Sequence, residues 1–177
     1  MIKFLKVREE HLEQILEWRT NPDVSRFMMT DIEYNMDNQL KWFKKISNDE
    51  TKKYWIVKIE DKNIGLINLE DIDQQSSRVS WGFYIGDMES RGIGGTIPPY
   101  LYNYIFNKMH FHKVWGWVME GNDILKLHKI HGYRIVGTMK DHVHKDDKWH
   151  DVHVVEMLRE FWASQRRYQG YIADFEE

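Results

Sequence analysis

Trp81-Gly82-Phe83-Tyr84-Ile85, which leads into Glu89-Ser90-Arg91-Gly92-Ile93-Gly94-Gly95-Thr96, is the stretch that decides the fold of this chain. The first segment is rich in aromatic residues and predicts a strand, and the apolar spacing over 100–105 predicts a helix after the second. Glycines allow tight turns of the backbone, and the N-terminal end of a helix attracts anions. A strand, a glycine-rich loop and a helix in this order predict a site for a phosphate group.

The glycine-rich loop has simpler interpretations, which the sequence excludes only in part. A glycine cluster between a strand and a helix is often no more than a tight connection. A dinucleotide fingerprint would need its last glycine where Ile97 stands, and no Gly-Lys-Ser or Gly-Lys-Thr follows to make a P-loop. The loop therefore supports neither a Rossmann site nor a nucleotide triphosphatase.

The remaining sequence predicts an α+β fold. Alternating apolar and charged residues over 2–7 predict a first strand, and helical spacing follows over 12–19 and again over 40–46. Segments rich in β-branched and aromatic residues predict strands near 54–59, 64–69, 79–85, 114–119, 133–140 and 152–158, with a short helix at 123–131. This order favours a mixed sheet with helices on both faces.

Length and charge limit the class of protein. The 177 residues, of which 42% are hydrophobic, are enough for one domain with a substantial core. We expect a single domain over 1–177, with its core in 1–162 and a polar C-terminal tail over 163–177. The formal net charge of -3 provides no basic field, so we expect no nucleic acid as a partner.

The absence of cysteine excludes disulfides, thiolate zinc sites and a cysteine nucleophile. The first residues lack the apolar core of a signal peptide, and no run of roughly 18 apolar residues could span a membrane. We therefore expect a cytoplasmic protein without a membrane partner. The sequence leaves a homodimer open.

Two segments resemble the GNAT superfamily of N-acetyltransferases. Its signature loop reads Arg/Gln-x-x-Gly-x-Gly/Ala, and Arg91-Gly92-Ile93-Gly94-Gly95-Thr96 fits with threonine in the last position. Residues 122–133 are similar to the superfamily's Asn-x-x-Ala…Tyr-x-x-x-Gly-Phe segment. The resemblance implies a single-domain, GNAT-like fold whose mostly antiparallel sheet has splayed central strands, and it implies acetyl-CoA as cosubstrate with no metal.

The resemblance also implies where acetyl-CoA would bind. The pantetheine amides would pair with the backbone of the strand before the loop, as an added strand pairs with a sheet edge, and the pyrophosphate would lie on the loop. The cofactor-binding residues expected on this basis are Phe83, Tyr84, Ile85, Arg91, Gly92, Ile93, Gly94, Gly95, Thr96 and Asn122.

A narrower resemblance concerns the acceptor. Trp18-Arg19-Thr20-Asn21-Pro22 and the later Asn68-Leu69-Glu70-Asp71 are similar to a branch that contains the N-acetyltransferases of pseudaminic acid biosynthesis. That branch implies acetylation of the 4-amine of a UDP-linked 4-amino-4,6-dideoxy sugar, with substrate contacts expected from Arg19, Met28, Gln39 and Trp81. A protein N-terminus, a polyamine or an antibiotic stays open as the acceptor, and so does a coenzyme A-binding module without catalysis.

Acetyl transfer needs a group that removes the amine proton, donors for the oxyanion, and an acid for the departing thiolate. The usual acid in the superfamily is the tyrosine of the second segment, and His128 takes its place here. A histidinium with a reference pKa near 6.5 is a stronger donor than a tyrosine near 10, so His128 could keep the acid role or could merely pack on a helix face. We expect Glu120 to relay the amine proton through water, and a backbone N–H of Tyr84 or Ile85 to support the oxyanion.

Several histidines near the end of the chain raise the question of a metal. Alternate strand residues share a face, which would bring some of them together. No acidic or cysteine ligand completes a recognisable spacing, so we predict no metal site. The histidines concerned are His142, His144, His150 and His153.

Overall fold

Seven strands form one sheet in the computed structural model, which describes residues 1–177. They are β1 (Ile2–Lys6), β2 (Lys53–Ile59), β3 (Lys62–Asp73), β4 (Arg78–Ile85), β5 (Lys113–Met119), β6 (Arg134–Lys145) and β7 (Lys148–Leu158). Their order in the sheet is β1-β2-β3-β4-β5-β7-β6, and every neighbouring pair is antiparallel except β4 and β5, which run parallel. The mixed, mostly antiparallel sheet expected from the sequence is confirmed.

Six helices accompany the sheet: α1 (Leu12–Thr20), α2 (Pro22–Ser25), α3 (Met36–Ser47), α4 (Pro98–Asn103), α5 (Ile124–His131) and α6 (Arg159–Ser164). Two asparagines fix helix starts, because the side-chain oxygen of Asn21 accepts from the Asp23 N–H and that of Asn35 accepts from the Asn38 N–H. None of the helices is both long enough and apolar enough to cross a membrane.

Both faces of the sheet are covered by helices. Trp55 and Val57 of β2 belong to the larger core cluster together with Leu101 of α4, whereas Ile56 between them packs with Leu12 of α1. Successive strand residues point to opposite faces, so α1 and α3 cover one face while α4 and α6 cover the other. The expectation of helices on both faces is confirmed.

The central strands β4 and β5 diverge after a short parallel contact. They pair at only three positions, Arg78 with Lys113, Val79 with Val114, and Ser80 with Trp115. Beyond these positions β4 continues along β3 as far as Ile85, and β5 continues along β7 as far as Met119. The two facing edges therefore leave backbone groups unpaired across a widening gap, which is the splay that the family resemblance implies.

The strand β6 extends farther than the predicted 133–140 because a bulge carries it past its polar middle. Its pairing with β7 shifts between Met139 and Val143, and Asp141 has a φ of 47° there. The carboxylate of Asp151 accepts from the Asp141 N–H and from the Lys140 ammonium. The bulge is thus held by one side chain, and the strand resumes beyond it.

The last residues differ from the polar tail expected over 163–177. Phe175 is buried and stacks on Phe4 of β1, with ring centroids 4.0 Å apart. The Phe4 N–H donates to the Asp174 carbonyl at 3.3 Å, and the Glu176 N–H donates to the Phe4 carbonyl at 3.0 Å. The core therefore does not end at residue 162, because an aromatic ring from the final segment supplies apolar surface to it.

Candidate active site

A cleft of about 1030 Å³ opens where β4 and β5 diverge. One wall, which we call the loop side, comes from β4, the glycine-rich loop, β5 and α5. The opposite wall, which we call the α1 side, comes from α1, the connection 26–35, α3 and β3. Clefts with an apolar lining and a few convergent polar groups are the usual place for small-molecule chemistry.

Most of the site residues expected from the sequence line this cleft. On the loop side they are Trp81, Phe83, Tyr84, Ile85, Arg91, Gly94, Gly95, Asn122 and His128, and on the α1 side they are Arg19, Met28 and Gln39. The expected residues outside the lining are Gly92, Ile93, Thr96 and Glu120.

The glycine-rich loop, Met88–Thr96, forms 3₁₀ turns that lead into α4. None of its glycines has a positive φ, so the freedom to turn is not what the loop requires of them. A Cβ on Gly94 would stand 3.2 Å from Ile85 Cγ1, and one on Gly95 would stand 3.4 Å from Leu127 Cδ1. Close packing of the loop against β4 is therefore the physical reason for glycine at position 94, whereas a Cβ at position 95 would make an ordinary contact with α5.

Asn122 and its neighbour Gly121 connect β5 to α5. Gly121 has a φ of 77°, which favours glycine, and it supplies the turn. The side-chain oxygen of Asn122 accepts from the Ile124 N–H at 3.1 Å, so it stabilises the start of α5. Asn122, rather than Gly121, lines the cleft.

Arg19 of the α1 side and Tyr84 of the loop side each have a buried polar atom without a hydrogen-bond partner. One Arg19 nitrogen, Nη2, donates to the Thr30 carbonyl at 3.1 Å, whereas Nη1 is buried without a hydrogen-bond partner. The Tyr84 hydroxyl is likewise buried without a partner. Burial raises the pKa of Tyr84, with the positive charge of Arg19 acting in the opposite direction, so the pair presents a cation beside a neutral phenol.

The three other expected acceptor contacts have structural partners of their own. The Gln39 amide nitrogen donates to the Leu12 carbonyl at 3.3 Å and so joins α3 to α1. The Met28 carbonyl accepts from the Lys145 ammonium at 3.0 Å. Trp81 is only 9% exposed and packs in parallel with Phe83, their centroids 5.5 Å apart.

The burial of Trp81 leaves little of its ring accessible for the substrate contact expected from the sequence. Aromatic residues in strands are usually core, and periodicity alone does not distinguish the two roles. The exposed aromatic ring in the cleft is Trp117 of β5, 41% exposed and parallel to His142 within 7°. Trp117 was missed because nothing in the local sequence shows that β5 has an open edge.

His128 on α5 lines the cleft but lies almost entirely inside the protein. It is 6% exposed, its Nδ1 has no hydrogen-bond partner, and its ring is 5.4 Å from that of Trp81. Burial, with a smaller contribution from the nearby His131, lowers the pKa of His128 to about 3. At neutral pH His128 is therefore an uncharged ring rather than a histidinium.

Glu120 lies outside the cleft, contrary to the role expected for it. Its side-chain oxygen is 3.5 Å from His150 Nδ1 on β7, because the chain turns away from the gap at the end of β5. The carboxylate that does line the cleft beside β4 is Glu70, which accepts a short hydrogen bond from the Tyr54 hydroxyl. Leu66, Asn68 and Glu70 alternate along β3 on this face, and that period of two was the available sequence signal.

The late histidines are dispersed over β6 and β7. His142 lies parallel to Trp117, His144 packs on Trp149, and His153 Nδ1 is 2.9 Å from the Thr138 hydroxyl. No group of three histidine, aspartate or glutamate side chains comes close enough to hold a metal ion.

Comparison with known proteins identifies the relatives of this chain. Residues 5–154 match the model of the acetyltransferase (GNAT) domain. The chain is 27% identical over 142 residues to acetyltransferase PseH of Campylobacter jejuni subsp. jejuni serotype O:23/36, a match that covers 80% of this chain and 88% of that protein. It is 26% identical over 140 residues to acetyltransferase PseH of serotype O:2, covering 78% and 86%.

A solved structure has the same fold. The spermidine N-acetyltransferase of Vibrio cholerae, solved in complex with CoA and spermine, superposes with a TM-score of 0.85 at 17% identity. The match covers 92% of this chain and 98% of that chain. At this identity the similarity concerns the fold.

Proposed function

The chain belongs to the GNAT family of acetyltransferases and is an N-acetyltransferase, and on this premise we propose that it acetylates the 4-amine of a UDP-linked 4-amino-4,6-dideoxy sugar with acetyl-CoA. The observation that carries the acceptor class is the buried guanidinium nitrogen of Arg19, which has no partner within the chain. A buried donor without a partner costs free energy, and an anionic group of a substrate would satisfy it. The similarity to two proteins named acetyltransferase PseH supports the same acceptor.

The gap between β4 and β5 suits the coenzyme. Pantetheine carries amides that pair with free strand backbone, and the backbone of β4 from Phe83 to Ile85 faces the gap unpaired with β5. The glycine-rich loop at the end of β4 would hold the pyrophosphate near the start of α4. We assign Asn122, on the far side of the gap, to the pantetheine arm.

The α1 side suits a nucleotide diphosphate. Arginine pairs with phosphate oxygens by two parallel hydrogen bonds, and Arg19 has a nitrogen available for this. Arg26 lies on the same side of the cleft and adds positive charge. Across the cleft, on the loop side, the exposed ring of Trp117 of β5 provides a flat apolar surface for a planar base or a sugar face.

The chemistry requires two proton transfers from the amine. Glu70, directly or through water, would take the first proton from the arriving ammonium group. The free amine then attacks the thioester carbon, the C–S bond breaks, and a backbone N–H of Tyr84 or Ile85 supports the oxyanion. We assign the second transfer to the neutral ring of His128, which would accept the proton from the attacking nitrogen and return it to the sulfur.

A polyamine is the second candidate acceptor. The α1 side also carries Glu33 and Glu70, and carboxylates would attract a polycation. Arg19 and Arg26 on the same wall oppose that binding, and Arg19 already lacks a counter-ion. The unpartnered nitrogen of Arg19 is therefore what favours the anionic nucleotide sugar.

The experiment measures thiol release from acetyl-CoA with two acceptors, UDP-4-amino-4,6-dideoxy-N-acetyl-β-L-altrosamine and spermidine. We expect turnover of the nucleotide sugar alone. Arg19→Ala should raise the KM of the nucleotide sugar by about tenfold or more. Arg19→Lys keeps the charge but not the paired hydrogen bonds, so its KM should lie between those of the wild type and Arg19→Ala. Turnover of spermidine alone would show that the acceptor is a polyamine and not a nucleotide sugar. Binding of coenzyme A without thiol release in the presence of either amine would favour a non-catalytic module.

A further inference from the structure

Lys145, the last residue of β6, contacts the α1 side of the cleft from a distant part of the chain. Its ammonium nitrogen is 2.6 Å from the Ser25 carbonyl, 3.0 Å from the Met28 carbonyl and 2.6 Å from Asp31 Oδ1. The side chain is only 5% exposed. A lysine ammonium has three donors, and all three are used here.

The segment that Lys145 contacts is the connection 26–35 between α2 and α3. It contains no helix or strand, yet it supplies much of the α1 side, with Arg26, Phe27, Met28, Met29, Thr30 and Ile32 all in the lining. Besides Lys145, Arg19 holds the connection through the Thr30 carbonyl. An irregular segment of this length is ordered only by such contacts, because its backbone entropy opposes a fixed conformation.

The position of Lys145 is set by a tight turn. Asp146 and Asp147 both have positive φ, 51° and 57°, and Lys145 pairs with Lys148 across them. This is the geometry of a two-residue hairpin whose twist matches the strands. The backbone of Lys145 is therefore held by its pairing with β7, and the side chain fixes the position of the connection relative to β7 and β5.

We propose that Lys145 is a positioning residue, which holds the connection 26–35 in the conformation that binds the acceptor. Its loss would leave Asp31 and two carbonyls without their donor and would let the wall of the α1 side move. The loop side is built from other elements, so coenzyme affinity would not depend on Lys145. The effect on the acceptor rests on the proposed function, whereas the ordering of the connection does not.

The test compares Lys145→Met with Lys148→Met, an exposed lysine of the same turn that serves as matched control. For Lys145→Met we expect the acceptor KM to rise by about tenfold to a hundredfold, because small displacements of binding groups are costly. We expect kcat and the calorimetric Kd of coenzyme A to stay at the wild-type values. The control should match the wild type in all three quantities.

A second readout needs no acceptor. Trypsin cleaves after Arg26, which lies inside the connection, so the rate of cleavage there reports how well the connection is held. We expect Lys145→Met to accelerate this cleavage by about tenfold, since proteolysis follows the population of open segments. If the wild type failed to acetylate the nucleotide sugar, the proposed function would fall, and the cleavage rate would still decide the role of Lys145.

Asp31→Asn provides a second test that can be used if Lys145→Met does not fold. Asp31 is 59% exposed in its side chain, and its replacement keeps both carbonyl contacts of the lysine. We expect the same changes as for Lys145→Met at smaller size. Wild-type acceptor KM and wild-type cleavage at Arg26 in these variants would overturn the proposal, and so would an equal loss of coenzyme affinity.

Discussion

The guanidinium group of Arg91 donates a hydrogen bond of 2.8 Å to the carbonyl oxygen of Asp23. Arg91 belongs to the glycine-rich loop, and Asp23 belongs to α2, immediately before the connection that lines the α1 side. The bond therefore joins the two sides of the cleft. An arginine expected from the family motif to serve the coenzyme is also attached to the acceptor side.

We predict that Arg91→Ala raises the KM of acetyl-CoA and the KM of the amine acceptor together, each by about tenfold, because one side chain serves both walls. Arg78→Ala, which removes an exposed arginine paired with Asp73 at the far end of β4, is the control. Steady-state kinetics with each substrate varied in turn provides the measurement. A change confined to acetyl-CoA would show that the bond to Asp23 has no role in acceptor binding.

We predict that Gly95→Ala weakens coenzyme A binding by about tenfold or more while leaving the melting temperature unchanged. The new Cβ would stand 3.4 Å from Leu127, an ordinary contact, but it would occupy the cleft where a phosphate is expected to approach the backbone. Gly137→Ala on β6 is the matched control, since a Cβ there would meet nothing and Gly137 does not line the cleft. Calorimetry that gave equal affinities for both variants would argue against a pyrophosphate site at Gly95.

We predict that Glu70→Gln lowers kcat by about a hundredfold to ten-thousandfold, the usual range for loss of a general base. The amide has nearly the shape of the carboxylate but does not take a proton at neutral pH. Asp71→Asn, on the next residue and exposed, should keep the wild-type rate. The measurement is the pH dependence of kcat/KM. A Glu70→Gln profile that coincides with that of the wild type would show that another residue is the general base.

Acid should destabilise the protein through His128 and His131. Burial lowers the pKa of His131 to about 4 and that of His128 to about 3, below the reference value of 6.5. Both are therefore neutral in the folded state and protonated in the unfolded state between about pH 4.5 and 6. Above pH 6.5 the two histidines do not lower the free energy of unfolding, and as the pH falls through this window they lower it progressively.

The linkage has a measurable slope. Two protons taken up on unfolding correspond to about 2.7 kcal/mol of unfolding free energy per pH unit, and His128→Phe should remove about half of that slope. Urea unfolding at several pH values between about 4.5 and 6 measures it, and the difference between wild type and variant cancels the carboxylates that titrate alongside. If the unfolding free energies of the wild type and of His128→Phe changed with pH at the same slope, His128 would not be neutral in the folded protein.

The parts of the site that follow from local patterns could be predicted from the sequence. The glycine-rich loop and the strand before it depend on residues that are close in the chain, and both lie where they were expected. The splay of β4 and β5 was expected only on the basis of the family resemblance. Periodicity contains no information on where a parallel pair stops pairing.

The parts that were missed depend on distant contacts. Lys145 and Asp31 are 114 residues apart, and a lysine beside a two-aspartate turn is normally exposed. Glu70 meets Tyr54 only because β2 and β3 pair in one register, while Glu120 leaves the cleft only because the chain turns at Gly121. Each of these outcomes requires the assembled sheet, which no local window of sequence describes.

The stacking of Phe4 on Phe175 sets a condition on how the protein is made. The first strand emerges early in synthesis, whereas the ring that covers it is added 171 residues later, about 10 to 30 s at ordinary translation rates. During that interval the outer edge of β1 has no covering segment, and such an edge readily pairs with other strands. The growing chain should therefore be most prone to aggregation shortly before Phe175 is added, when the other strands are already made and the outer edge of β1 is not yet covered.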